Sequence, residues 1–127
     1  MPPISENFFS AVCTLAGSGS LKDRLISAYS EYLEPLPKGD IAENIRRQFE
    51  SLWRMMHSTK PLSSESPVIA SVRKMSTAEA NRCASKIVAM FGELVRDKIT
   101  GEPLRLLDGL DSEKSAELEQ SRASTLN

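Results

Sequence analysis

The amino-acid sequence predicts an all-α fold: an irregular antiparallel bundle of four main helices and one short helix. Apolar residues recur at helical spacing, start and stop signals bound each such stretch, and no segment alternates as a strand does. A chain of 127 residues has room for one modest core. We therefore expect a helical bundle over residues 1–103. Residues 104–127 should form a leucine-containing segment and then a flexible, largely disordered acidic tail.

The first two helices are predicted on either side of a glycine–serine turn. Residues 4–16 carry apolar side chains on one face and end at Gly17, which opens the turn. Residues 21–34 show a second apolar face. Pro35 and Pro37 stop this helix, because proline lacks the backbone donor and clashes with a preceding helical turn.

The third helix is predicted to begin at Asp40 and to close at His57, since apolar residues line one side between them. Pro67 then fits the first position of a short helix that continues over residues 68–75. That short helix is either a separate element or continuous with the next helix through a kink near Ser76.

Residues 76–99 form the longest helical pattern in the chain, with Gly101 and Pro103 as its stop signal. A small cluster of leucines over residues 104–110 follows. This cluster either folds back over the bundle or docks into a groove of a partner.

Capping residues indicate where three of these helices begin. A hydroxyl or carboxylate at the helix start, with an acidic side chain three residues later, satisfies backbone donors that the first turn leaves free. The pairs that fit this pattern are Ser20–Asp23, Asp40–Glu43 and Ser76–Glu79.

The apolar faces of the predicted helices define an expected core. Val88 lies on the apolar face of the long helix, and the thiols of Cys13 and Cys83 are expected to be free and packed. The side chains expected to form the core are Phe8, Val12, Leu25, Tyr29, Ile45, Phe49, Leu52, Ile87, Phe91 and Leu94.

Charge and composition narrow the function classes. Sixteen basic and seventeen acidic side chains leave the chain near neutral, which argues against a general polyanion binder. The N-terminus lacks the features of a signal peptide, and no window is apolar enough for a membrane span. We expect a cytoplasmic protein that does not enter membranes.

The sequence contains no recognisable catalytic, metal or cofactor motif. One histidine and two distant cysteines do not provide the ligands of a metal site. No glycine-rich phosphate-binding motif is present. We therefore expect no cofactor and no enzymatic activity.

Two surfaces are candidates for binding another protein or a second copy of this chain. The first is an edge of the third helix, where a tryptophan and an arginine combine large area with directed polar groups; it comprises Arg46, Glu50, Trp53 and His57. The alternative is that Trp53 is a core-edge residue with Arg46 lying over it.

The second surface is a strip of small residues on the long helix, with basic residues beside it. A glycine inside a helix is unfavourable, so Gly92 suggests close approach of another helix or a homodimer seam. A solvated helix face is the equally weighted alternative. The strip and its flanking residues are Asn81, Ser85, Ala89 and Gly92 with Arg82, Lys86 and Arg96.

We predict a non-enzymatic helical interaction or regulatory protein that acts by binding another protein. The first alternative is nucleic-acid binding through the mildly basic middle of the chain; its candidate residues are Arg47, Arg54, Arg73, Lys74, Arg82 and Lys86. The second alternative is histidine phosphotransfer at His57, although that residue lies where its helix ends.

Overall fold

The computed structural model confirms the all-α fold and describes the backbone of residues 4–99 and the side chains of residues 4–96. No residue in this range belongs to a strand. The α helices of the described range are α1 (Ile4–Leu15), α2 (Leu21–Ala28), α3 (Arg46–Met56), α4 (Pro67–Lys74) and α5 (Thr77–Ile99). The predicted stop at Gly101 and Pro103, the leucine cluster of residues 104–110 and the predicted tail lie outside the described residues.

The chain divides into two compact units, Met1–Leu94 and Val95–Asn127. The core belongs to the first unit. Between residues 4 and 99, no helix has both the length and the apolar character that crossing a membrane requires.

Local capping begins α2 and α5 where the sequence predicts. The hydroxyl of Ser20 accepts the backbone N–H of Asp23 at 3.1 Å. At the start of α5, Ser76 Oγ accepts the N–H of Glu79 at 3.0 Å, and the Glu79 carboxylate accepts the N–H of Ser76 at 2.9 Å. Both bonds of a capping box are therefore present.

The short helix α4 is separate from α5. Ser66 Oγ accepts the N–H of Ile69 at 3.1 Å, and Pro67 occupies the first helical position. Met75 then adopts an extended backbone (ψ 149°), which ends α4 before the cap of α5. The alternative of one kinked helix is wrong.

The predicted helix over residues 21–34 changes its winding halfway. After α2, the chain continues as a π-helical turn, Tyr29–Leu33, closed by the N–H of Glu34 donating to the Tyr29 carbonyl at 2.8 Å. Tyr29 and Leu33 are both fully buried, so the wide turn keeps both in the core. Asn7 of α1 donates its amide to the carbonyl of Tyr32 at 2.9 Å, satisfying an acceptor at the end of the turn.

The predicted start of the third helix at Asp40 is wrong. Two 3₁₀ turns, Lys38–Asp40 and Glu43–Ile45, precede α3, with extended backbone between them. The side chains of Ile41 and Ile45 both enter the core. The Ile41 carbonyl, which a helix starting at Asp40 would pair with the N–H of Ile45, accepts the Arg46 guanidinium at 2.8 Å instead. Ile45 donates to the carbonyl of Ala42.

The core matches most of the predicted set. The prediction is wrong in part for Val12 and Phe91, because both are half-buried at the edge of the core. Val88, which was predicted to lie on the apolar face of the long helix, lies at the rim of that face in α5 and is 48% exposed. The other predicted core residues are buried. Further buried apolar side chains are Ala11, Leu15, Ala28, Leu33, Ile41, Met56, Val68, Ala70, Val72, Met75, Ala80, Cys83 and Met90.

The two cysteines differ in their surroundings. Both are free, but Cys13 is exposed, so the expectation of a packed thiol there is wrong. Cys83 is buried against Met55 and Met75, with sulfur–sulfur distances of 3.9 and 4.0 Å. Burial raises the pKa of the Cys83 thiol, because the interior disfavours the thiolate.

Candidate functional site

A groove lies between α3 and the segment that precedes it. Its volume is about 310 Å³, and it lies within the first compact unit. We call it the α3 groove; its lining residues are Lys38, Ile41, Arg46, Phe49, Glu50, Trp53 and Arg54.

The α3 side of the groove follows from helical spacing. Arg46, Glu50 and Arg54 are four residues apart and therefore lie along one face of α3. Phe49 and Trp53 form a neighbouring row at the same spacing. The helix thus presents a charged row with a central carboxylate beside an aromatic row.

The other side of the groove comes from the 3₁₀ segment. Lys38 places its ammonium 4.9 Å from the centroid of the Trp53 ring, a cation–π contact. Ile41 is buried and supplies apolar surface together with Phe49. The sequence did not indicate Lys38, because a lysine in a turn carries no signal for contact with a tryptophan fifteen positions later in the chain.

Trp53 is held in place by His57, the residue that ends α3. The two rings are stacked, with centroids 4.3 Å apart and planes 20° from parallel. His57 Nδ1 lies 2.9 Å from the carbonyl oxygen of Trp53. An N–H at Nδ1 therefore donates to one of the carbonyls that a helix end leaves free.

The second nitrogen of His57 is also engaged. Nε2 lies 3.3 Å from a carboxylate oxygen of Glu34, and only 15% of the His57 side chain is exposed. The edge of the ring meets Tyr29, with centroids 6.1 Å apart. Both ring nitrogens thus face oxygen acceptors, an arrangement that orients the imidazole as a support for Trp53.

Tyr29 lies behind His57 with its hydroxyl buried. Among the described residues, this hydroxyl has no hydrogen-bond partner. Burial, and to a lesser degree the negative charge of Glu34, raise the pKa of Tyr29. The phenol therefore stays neutral over the ordinary pH range.

The structure brings together the first predicted surface. Arg46, Glu50 and Trp53 line the groove, and His57 supports Trp53 from the end of α3. Lys38, rather than Arg46, lies over the indole, while Arg46 donates to the Ile41 carbonyl. The alternative, in which Arg46 lies over Trp53, is therefore wrong in this contact, because Lys38 of the preceding turn takes that position.

The second predicted surface is shallow. Ser85 and Ala89 are exposed and border two surface depressions, one of which is also lined by Arg82 and Lys86. A Cβ added at Gly92 would meet no atom of the described chain within 4 Å. Close approach of another helix of the same described chain therefore does not explain that glycine.

Arg96 belongs to the second compact unit, where it is exposed near the end of α5.

The residues predicted to contact nucleic acid lie on three helices. Arg54 lines the α3 groove, whereas Lys86 borders a separate depression beside Gln48 and Arg82. Arg73 donates to both carboxylate oxygens of Glu65, and that ion pair offsets its charge. Arg47 on α3 and Lys74 on α4 are exposed.

An exposed apolar cluster lies at the α1–α5 edge. Phe9 is 54% exposed and its ring packs 5.8 Å from that of Phe91. Val88 is exposed on the same helix as Phe91.

The part of the chain that the structure describes holds no cluster of three or more His, Cys, Asp or Glu side chains placed to bind a metal ion. Comparison of the chain with protein-family models, with curated proteins and with solved structures finds no match.

Proposed function

We propose that this chain is a non-enzymatic helical interaction protein with a regulatory role, and that it binds another protein through the α3 groove. One observation carries the proposal. Trp53 is 39% exposed at the wall of a groove, yet its ring is held by His57 and by Lys38.

A supported, exposed tryptophan suits an interface anchor. Tryptophan and arginine are enriched among residues that dominate binding energies, and the α3 groove contains Trp53 beside Arg46 and Arg54. Holding the indole in one orientation before binding reduces the ordering entropy lost when a partner docks. An apolar centre with a charged rim is also the usual anatomy of a protein interface.

The proposal includes a cytoplasmic location. Cys13 and Cys83 are free thiols, which a reducing compartment preserves. A second copy of the chain is the alternative partner, and α5 would then supply the seam.

Affinity purification with quantitative mass spectrometry tests the proposal. Wild-type chain is compared with Trp53→Ala and with Val88→Ala, which truncates an exposed apolar side chain outside the α3 groove. We expect Trp53→Ala to lower recovery of a partner by at least about tenfold, the effect of losing an interface hot spot. Val88→Ala should match wild type. Equal recovery with folded Trp53→Ala would contradict the proposal.

Nucleic-acid binding is a second candidate function. An exposed indole beside Lys38, Arg46 and Arg54 is a combination that stacks a base and contacts phosphate. This function requires that an oligonucleotide bind with an affinity that falls steeply as salt is added. Unchanged Trp53 fluorescence on addition of oligo-dT at low salt would remove it.

A further inference from the structure

We infer that the occupant of the α3 groove is an acidic protein segment that carries an apolar side chain. The inference rests on the proposed function and names the chemistry of its partner. The charge and shape of the lining residues support it.

The rim of the groove is predominantly positive. Lys38, Arg46 and Arg54 line it, against a single carboxylate from Glu50. Arg46 is fixed by its bond to the Ile41 carbonyl. Lys38 and Arg54 are exposed at the rim, where their charges face an incoming segment. Complementary charge of this kind favours an acidic partner and disfavours a basic one.

The interior of the groove accepts an apolar group. Ile41, Phe49 and Trp53 provide its apolar surface. Its volume of about 310 Å³ lies at the lower end of the ~300–1,000 Å³ typical of small-ligand pockets. That space suits one or two side chains of a short segment rather than the whole face of a helix.

The arrangement of charge favours an acidic peptide over a polynucleotide. Glu50 lies between Arg46 and Arg54 along α3, so the positive charge is interrupted at the centre of the row. A continuous phosphate backbone would meet that carboxylate. A peptide can place carboxylates on either side of it and an apolar residue between them.

A displayed library of random dodecapeptides tests the inference. The library is selected on wild-type chain, on the double variant Lys38→Glu/Arg54→Glu and on Lys74→Glu. The last variant makes the same kind of charge change at an exposed residue outside the groove. Binding of each selected peptide, synthesised with Phe in place of any Trp, is then titrated through Trp53 fluorescence, which is specific because the chain has one tryptophan.

We expect wild type and Lys74→Glu to enrich peptides rich in Asp and Glu around an aromatic or aliphatic residue. The double variant should bind these peptides at least about tenfold more weakly, a loss of about 1.4 kcal/mol. Trp53→Ala, assayed with labelled peptide, should also lose them.

Three results would overturn the inference. Peptides that need Trp53 but show no acidic bias would leave the proposed function standing and remove the acidic class. Oligo-dT that changes Trp53 fluorescence while no peptide is enriched would indicate nucleic acid instead. A dimer in light scattering that Lys38→Glu/Arg54→Glu abolishes, without peptide enrichment, would identify a second copy as the occupant.

Discussion

The imidazole of His57 lies flat against the indole of Trp53, with ring centroids 4.3 Å apart, while its Nδ1 contacts the Trp53 carbonyl at 2.9 Å. One residue therefore ends α3 and sets the orientation of the aromatic wall of the α3 groove. This relationship links the stability of the helix end to the shape of the candidate site.

Replacing His57 with alanine should loosen Trp53. We expect the free energy of unfolding to fall by roughly 1–2 kcal/mol, because the stacking contact and both polar contacts are lost. Trp53 fluorescence should shift to the red and its anisotropy should fall. His57→Phe is the control, since it retains stacking without the polar contacts and should preserve the Trp53 emission. Unchanged anisotropy in His57→Ala would show that Trp53 is held by other groups.

Removing the buried hydroxyl of Tyr29 should not destabilise the protein. Tyr29→Phe deletes a group that has no hydrogen-bond partner in the described chain. We expect the free energy of unfolding at pH 7 to rise by about 1 kcal/mol, toward the lower end of the penalty for a buried unsatisfied group. Urea titration measures this change. A loss of stability would mean that the hydroxyl makes a contact worth retaining.

Tyr29 should also make the free energy of unfolding depend on pH in the alkaline range. The pKa of Tyr29 is higher in the folded than in the unfolded chain, so unfolding allows the phenol to ionise. Below the ordinary tyrosine pKa of about 10, the phenol is neutral in both states and the free energy of unfolding does not depend on this ionisation. As the pH rises above that value, the phenol ionises in the unfolded chain first, and the free energy of unfolding falls. Wild type should therefore lose more stability than Tyr29→Phe between pH 9 and pH 11, as urea midpoints will show. Tyr32→Phe, which retains Tyr29, should behave as wild type.

Gly92→Ala should stabilise α5. Alanine is about 0.8–1.0 kcal/mol more favourable than glycine inside a helix, and an added Cβ meets open space. Thermal unfolding should show a higher midpoint. Gly19→Ala is the opposite case, because Gly19 has a φ of +102° that other residues rarely adopt, and it should destabilise the turn. A destabilised Gly92→Ala would point to a contact made by a second copy of the chain.

The two thiols should differ in reactivity. Iodoacetamide should label exposed Cys13 quickly, while buried Cys83 stays unmodified over the same time. Burial restricts access to the Cys83 thiol and raises its pKa, which lowers the fraction of reactive thiolate. Mass spectrometry should find one label on the native chain and two after denaturation in urea. The Cys13→Ser variant should take none while folded. Rapid labelling of Cys83 in that variant would show that the helices around it open readily.

The sequence alone determined most of the helical framework, because the signals that start and stop helices act over a few residues. Ser66 with Pro67, and Ser76 with Glu79, satisfy backbone groups of their own first turns, and α4 and α5 begin there. Periodicity also placed Arg46, Glu50 and Trp53 on one edge of α3, because that relation depends only on helix geometry.

Tertiary packing decided the start of α3 and the closure of the groove. The capping pattern at Asp40 does not start the helix, because Ile41 and Ile45 are both buried in the core. Burying both side chains requires extended backbone between two 3₁₀ turns. That same path carries Lys38 over Trp53. No local sequence pattern specifies the contact between Lys38 and Trp53. The contact depends on how the segment before α3 packs across that helix.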